Sequence, residues 1–223
     1  PPAERALRDL ARKRVQLVRS RTQQVLAVEN ILARSTGSRP SAAAIKRLAP
    51  GDVGTLGLAT DVALAVQANL AVIAALNLEI GRVESRLLEG AKLRPDYARL
   101  KSIPGIGEVL AIVIMLETGD VSRFAQVGNF ASYARCVDSA RYSNGKKKGE
   151  GNTKNGNAYL VWAFIEAANF ARRFNEETRR FFDRKNSRTN GVVATKALAH
   201  KLARASYHVL KTKEPFDVKR CFV

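Results

Sequence analysis

Between Leu56 and Lys92 the chain carries one sustained apolar ladder. Val62, Val66, Ile73, Leu76, Ile80, Val83 and Leu87 fall on alternating three- and four-residue steps, interrupted only by Asn69. Such steps bring the apolar side chains onto one stripe of an α-helix. A helix of about 35 residues extends roughly 50 Å, and its stripe needs a helical partner. That partner is either another segment of the same chain, in a helical hairpin, or a second copy in a coiled coil. On such a seam Asn69 would fix register or partner number. A second long helix is available at Glu4–Arg34, which lacks Gly and Pro and repeats Leu7, Ala11, Val18, Val25, Val28 and Leu32 at helical spacing.

The uncharged run Val62–Leu78 makes a poor membrane span, being short and holding Gln67, Asn69 and Asn77, so no membrane role is expected. Gly37, Pro40 and Pro50 break the pattern after the first helix, leaving room for a short helix at Ala42–Leu48. Pro95 marks a boundary. Residues 1–94 form a coiled-coil or helical assembly region, and residues 95–223 a compact domain of shorter helices with polar, Gly-rich links. No alternating strand pattern stands out. The expected class is mainly α.

Charge narrows the partners. In 223 residues, 38 Lys and Arg face 20 Asp and Glu, a net +18. An excess of that size favours polyanions through counterion release, with an anionic membrane surface as the competing use. Two cysteines, Cys136 and Cys221, cannot build a disulfide scaffold, and with only His200 and His208 no tetrahedral zinc site is expected. The first 25 residues alternate charged with apolar side chains, so no signal peptide is read there and a cytosolic protein is expected. Because the only methionine is Met115, Pro1 is not an initiator as written; the sequence is either processed or an excerpt of a longer chain.

Ile103-Pro104-Gly105-Ile106-Gly107, followed by Glu108 and an apolar helix to Leu116, has the pattern of a helix-hairpin-helix. Gly105 and Gly107 allow a tight turn and a close approach to a phosphate, Ile106 anchors the turn, and the N–H groups opening the next helix favour an anion. The plain alternative is a helix–helix turn that only packs.

Arg141 to Asn157 is the most unusual stretch, with four glycines, four lysines and no aliphatic residue. It reads as a loop able to envelop phosphates, through Arg141, Asn144, Gly145, Lys146, Lys147, Lys148, Thr153, Lys154 and Gly156, or else as a solvated surface loop. It leads into an apolar helix from Ala158 to Ala171, with Asn157 the best N-cap. Ser143 could attack a phosphodiester, with Lys146, Lys147 and Arg141 near the developing charge, but a serine is weak without activation and no histidine lies nearby in sequence. Thr153 is a rival hydroxyl. Glu108, Glu117, Asp120, Asp138 and Glu150 show no metal-binding spacing. On the residues alone, catalysis stays open.

The order Ile103–Gly107, Arg123-Phe124, Ser143-Asn144-Gly145-Lys146 and Gly151–Asn157 resembles the C-terminal half of bacterial insertion-sequence transposases of the one-hundred-and-ten family. Trp162–Phe170 and Ala199–Ala205 are similar to its eleven-eleven subgroup. The resemblance covers residues 95–217, with the preceding helices fitting the family's coiled-coil region. It implies an RNA-guided DNA recombinase with a serine nucleophile, matched by Ser143. It implies a RuvC-like domain whose four acidic residues bind magnesium, a structured guide RNA pairing with donor and target DNA, and dimers or tetramers. It also implies a bacterial cytoplasmic, nucleoid-associated protein. No cofactor is expected within these residues; the acidic domain has no counterpart among them, and no strand cleavage is expected from them alone.

Phe174, Phe181 and Phe182, at helical spacing among Arg172, Arg173, Arg179, Arg180, Arg184 and Lys185, read as core. Trp162 also reads as core, His200 and His208 as packing or surface residues, and Cys136 as a buried thiol. Two further functions compete with the recombinase: a non-enzymatic helix-hairpin-helix protein that binds DNA junctions or shapes DNA, and a coiled-coil scaffold.

Overall fold

The computed structural model describes residues 2–137, 140–150 and 155–222. Almost all of them are helical, and the chain divides into two compact units, Asp9–Leu87 and Pro1–Arg8 with Leu88–Val223.

The Asp9–Leu87 unit is an antiparallel helical hairpin built from most of α1 (Pro2–Thr36) and α3 (Thr60–Ala91). Arg14 donates from Nε and Nη2 to Glu84 Oε1 at 2.8 and 2.6 Å, and Arg21 Nη1 donates to Asn77 Oδ1 at 2.8 Å. Residue numbers rise on one helix as they fall on the other, which fixes the antiparallel register. Val25, Val28 and Leu32 of α1 pack with Val66, Leu70 and Ile73 of α3 in one buried cluster. The connection closes its end: α2 (Ala42–Ile45), capped by Ser41, contributes Ile45, and the 3-10 turn Pro50–Leu56 contributes Val53. The seam read from the sequence is therefore met by the chain's own first helix at Val66 and Ile73, and Ile80 and Leu87 are buried as well. Asn69 donates to Ala65 O of its own helix at 2.8 Å instead of meeting a partner. Among the described helices, α3 is the one long and apolar enough to cross a membrane by length and composition.

The second unit centres on α7 (Ala158–Phe174) and α9 (Gly191–Thr212), with α4 (Pro95–Lys101), α5 (Glu108–Thr118), α6 (Val127–Tyr133) and α8 (Glu176–Asn186) around them. α5 is apolar on every side and is buried from Leu110 to Thr118, as a helix without a polar face must be. Phe124, Phe130, Phe164 and Tyr207 form an aromatic core with edge-on and tilted contacts of 5.2 to 6.2 Å. The Tyr207 hydroxyl donates to Phe124 O at 3.1 Å, which satisfies its one polar atom. Short α10 (Val218–Phe222) packs on α8. Lys201 lies 4.9 Å from the ring centroids of both Phe181 and Phe222.

Three expectations change. The stretch read as a loop folds in part as a β-hairpin, β1 (Ala140–Ser143) with β2 (Lys146–Glu150). Phe182 is buried as expected, but Phe174 is 81% exposed and its ring stacks on Phe170 instead of entering the core. Trp162 is half-buried.

Candidate nucleic-acid interface

The hairpin owes its turn to two residues. Asn144 and Gly145 both have positive φ, 51° and 69°. Two consecutive left-handed residues form the tight turn whose twist matches paired strands, and Asn-Gly is the pair that adopts it at least cost. Ser143 consequently pairs with Lys146, Tyr142 with Lys147 and Arg141 with Gly149, with an irregularity that leaves Lys148 as the extra residue on β2. Ser143, Asn144, Gly145, Lys146 and Lys148 are exposed. Directly paired residues send their side chains to the same face, so the Ser143 hydroxyl and the Lys146 ammonium share one side of the ribbon. Arg141 and Lys147 are placed by their strand positions. Thr153 and Lys154, with Asp138, Gly151 and Asn152, lie outside the described residues.

The end of α6 and the start of α7, between which the hairpin lies in sequence, are hydrogen-bonded to each other. On one side, Cys136 N donates to Ala131 O at 3.0 Å, closing α6. On the other, Arg135 donates from Nε to Asn155 O at 2.7 Å and from Nη2 to Gly156 O at 3.3 Å, and Asn157 N donates to Tyr133 O at 2.7 Å. Gly156 has φ +83°, and a Cβ there would stand 2.6 Å from Tyr133 O and 3.0 Å from Arg135 Cγ. Of the residues the sequence nominated for phosphate contact, Gly156 is thus a packing residue.

Asn157 completes the root. Its Oδ1 accepts from Tyr159 N and Leu160 N at 2.9 and 3.1 Å, capping α7 as expected, while Nδ2 donates to Glu117 Oε2 at 2.6 Å and to the Tyr133 hydroxyl at 3.3 Å. Glu117 is only 3% exposed. The Arg123 guanidinium lies over the rings of Phe124 and Tyr133, at 4.5 and 4.7 Å. Burial pushes the Tyr133 hydroxyl up, but its hydrogen bonds with Asn157 and Arg123 and the Arg123 charge outweigh this, so its pKa falls below the ordinary tyrosine value. Burial pushes the Cys136 thiol up to about 12, making it an unreactive thiol beside the root. The sequence offered Asn157 as a cap but gave no sign of Glu117, Arg123 or Arg135 in this role; their convergence depends on three helices packing together.

The turn between α4 and α5 divides its two glycines between different tasks. Gly105 has φ +83°, and a Cβ there would stand 2.1 Å from Ala167 O and 2.6 Å from Ala171 N. Gly105 therefore lets the turn lie directly on the α7 backbone. Ile106 is buried and anchors the turn, donating from N to Ile103 O at 3.1 Å. Gly107 is exposed at the start of α5, with nothing within 4 Å of a Cβ built there. The first N–H groups of a helix have no intrahelical acceptor, so this open start is the part of the turn able to meet an anion. Glu108 at the same place pairs with Lys101 Nζ at 3.4 Å. Both features rest on α7: by its rise per residue, Asn157 at the hairpin root and the Ala167–Ala171 seat of the turn lie about 15–20 Å apart.

Among the described residues no three His, Cys, Asp or Glu side chains come together to hold a metal.

Fold and site together define a mainly helical chain that carries a basic, serine-tipped hairpin between α6 and α7. Residues 97–183 match the family model described as Transposase IS116/IS110/IS902 family. The chain is 32% identical over 124 residues to the "Insertion element IS110 uncharacterized 43.6 kDa protein" of Streptomyces coelicolor, covering 56% of this chain and 29% of that protein. It is 30% identical over 89 residues to the "Transposase for insertion sequence element IS1111A" of Coxiella burnetii, covering 40% of this chain and 24% of that protein. Over part of its length the chain is thus similar to insertion-sequence proteins of the IS110 and IS1111 type, and the matched stretches amount to less than a third of each relative's length.

Proposed function

We propose that this chain is the assembly and serine-bearing part of a DNA transposase guided by a structured RNA, acting in the bacterial cytoplasm on the nucleoid. The observation that carries the reading is the exposed Ser143 at the hairpin turn, paired with Lys146 across the ribbon. An exposed hydroxyl at a tight turn can be presented to a phosphodiester, and an ammonium on the same face of the ribbon offsets charge on the phosphoryl oxygens. Ser143 Oγ would bond to phosphorus, the strand would leave through its sugar oxygen, and rejoining would reverse the step with a different strand. An acidic, magnesium-binding domain of the kind the resemblance implies would, with its metal bound, supply a base for the hydroxyl proton and positive charge for the leaving oxygen.

The turn before α5, in its helix-hairpin-helix role, would hold a nucleic-acid backbone at Gly107, and Lys146 and Lys148 would hold another. Sequence choice would come from base pairing with the RNA rather than from side chains. The helical hairpin of α1 and α3 would serve assembly into dimers or tetramers. The test is Ser143→Ala in the full-length protein with its RNA and DNA. Strand exchange should vanish while nucleic-acid binding stays at the wild-type level. Full activity in the variant would favour a non-enzymatic binding protein instead.

A further inference from the structure

Phe170 and Phe174 are out of place in a protein of this kind. They lie one helical turn apart near the C-terminal end of α7, 44% and 81% exposed, with ring centroids 6.5 Å apart and planes only 14° from parallel. Among the described residues, every other aromatic pair in this unit includes a buried or half-buried ring. Large exposed rings lose the free energy of burial and persist where something else covers them.

Charge indicates what that cover is. Exposed Arg173 lies three residues from Phe170, the spacing at which helix side chains are neighbours, and so borders the pair of rings on one side. Residues 170–185 hold six basic and three acidic side chains within a chain of net +18. One of the acids, Glu176, is already paired with Arg180. The next face of the same helix turn, Ala167 and Ala171, carries the turn that opens α5. A flat apolar surface edged by cations suits a group that is aromatic on its face and anionic along its edge, which describes an unpaired base with its phosphate. A second copy of this chain would bring like charge to the same place.

We propose that Phe170 and Phe174 form a stacking platform for an unpaired stretch of DNA, with Arg173 on its phosphate. The choice of DNA rests on the strand-exchange reading above, in which cutting and rejoining leave unpaired DNA near the hairpin. By helix rise, the platform lies about 20–25 Å along α7 from Asn157, a span that a few unpaired nucleotides cross.

The experiment uses the full chain and fluorescein-labelled oligonucleotides: a 20-nucleotide unpaired DNA, the RNA of the same sequence, and the DNA duplex. Phe170→Leu/Phe174→Leu keeps the apolar surface but removes the rings. It should weaken binding of unpaired DNA by about 5- to 100-fold, leave duplex binding within twofold, and keep the wild-type melting temperature. Phe174→Trp should restore or exceed wild-type affinity for unpaired DNA. Equal losses on unpaired and duplex DNA, no loss on either, a loss confined to RNA, or a change of oligomeric state in the double variant would each overturn the proposal. The two readings fail separately, because oligonucleotide affinity reads the platform whether or not strand exchange depends on Ser143.

Discussion

Asn157 joins the start of α7 to the buried carboxylate of Glu117: its Nδ2 donates to Glu117 Oε2 at 2.6 Å while its Oδ1 accepts the first free N–H groups of the helix. One side chain thus ends the basic segment, begins α7 and ties both to the core helix α5. A hydrogen bond to a charged, buried acceptor is among the stronger ones, and the cap adds to it. Asn157→Ala should lower stability by about 2–4 kcal/mol, the loss of a cap plus one donor to a buried carboxylate. Asn157→Asp keeps the cap but sets a second carboxylate against Glu117, and should be no better. Urea unfolding of the three proteins checks both statements.

The glycines of the α4–α5 turn should separate cleanly. Gly105→Ala drives a Cβ to 2.1 Å from Ala167 O at φ +83°, so α7 must move or the turn must open. A loss of at least about 3 kcal/mol is expected. Gly107→Ala meets nothing within 4 Å at φ −83° and should cost under about 1 kcal/mol. If the turn holds a phosphate at Gly107, that same variant should bind duplex DNA several-fold more weakly. Thermal melts and DNA titrations read the two effects independently.

Turn chemistry at the hairpin makes a local prediction. Gly145→Ala forces a side chain into φ +69°, and the pairing of Ser143 with Lys146 depends on that turn. Amide exchange in residues 140–150 should accelerate at least tenfold, while the melting temperature of the whole chain moves by no more than a degree or two. Ser143, Asn144, Gly145, Lys146 and Lys148 are all exposed, so loss of the turn should not be felt by the core.

A pH dependence follows from α9. Burial, with Arg204 nearby, holds His200 below the ordinary histidine value of 6.5. The unfolded chain therefore takes up this proton more readily than the folded one, and stability is lost as the pH falls through about 6.5 toward the lowered value. His200→Gln should flatten that part of the profile between about pH 7 and 5. Urea midpoints measured across the interval give the slope directly.

Much of the fold was written in local pattern. The helix expected at Glu4–Arg34 spans Pro2–Thr36, and the one expected at Leu56–Lys92 spans Thr60–Ala91, because alternating three- and four-residue apolar steps act within a few turns. The cap at Asn157 was legible for the same reason. The hairpin was not, since Lys and Gly are poor strand residues and no alternation marks Lys146–Glu150. The one local signal for it was Asn144-Gly145, and a turn signal without flanking apolar alternation is weak. Gly105 pointed toward a phosphate because its contact with α7, some sixty residues away, has no trace in the spacing of the turn. Phe174 has the helical spacing of a core residue, but spacing does not say whether a partner faces it. What stayed hidden is non-local in each case.

As the proposed nucleophile, Ser143 would become covalently joined to DNA. The most direct measurement is to mix the full-length protein with its RNA and a labelled DNA substrate, denature the mixture, and identify the DNA-linked peptide by mass spectrometry. A phosphoserine link at Ser143 that is lost in Ser143→Ala is expected. Strand exchange without such a link, or a link that persists in the variant at another residue, would contradict it.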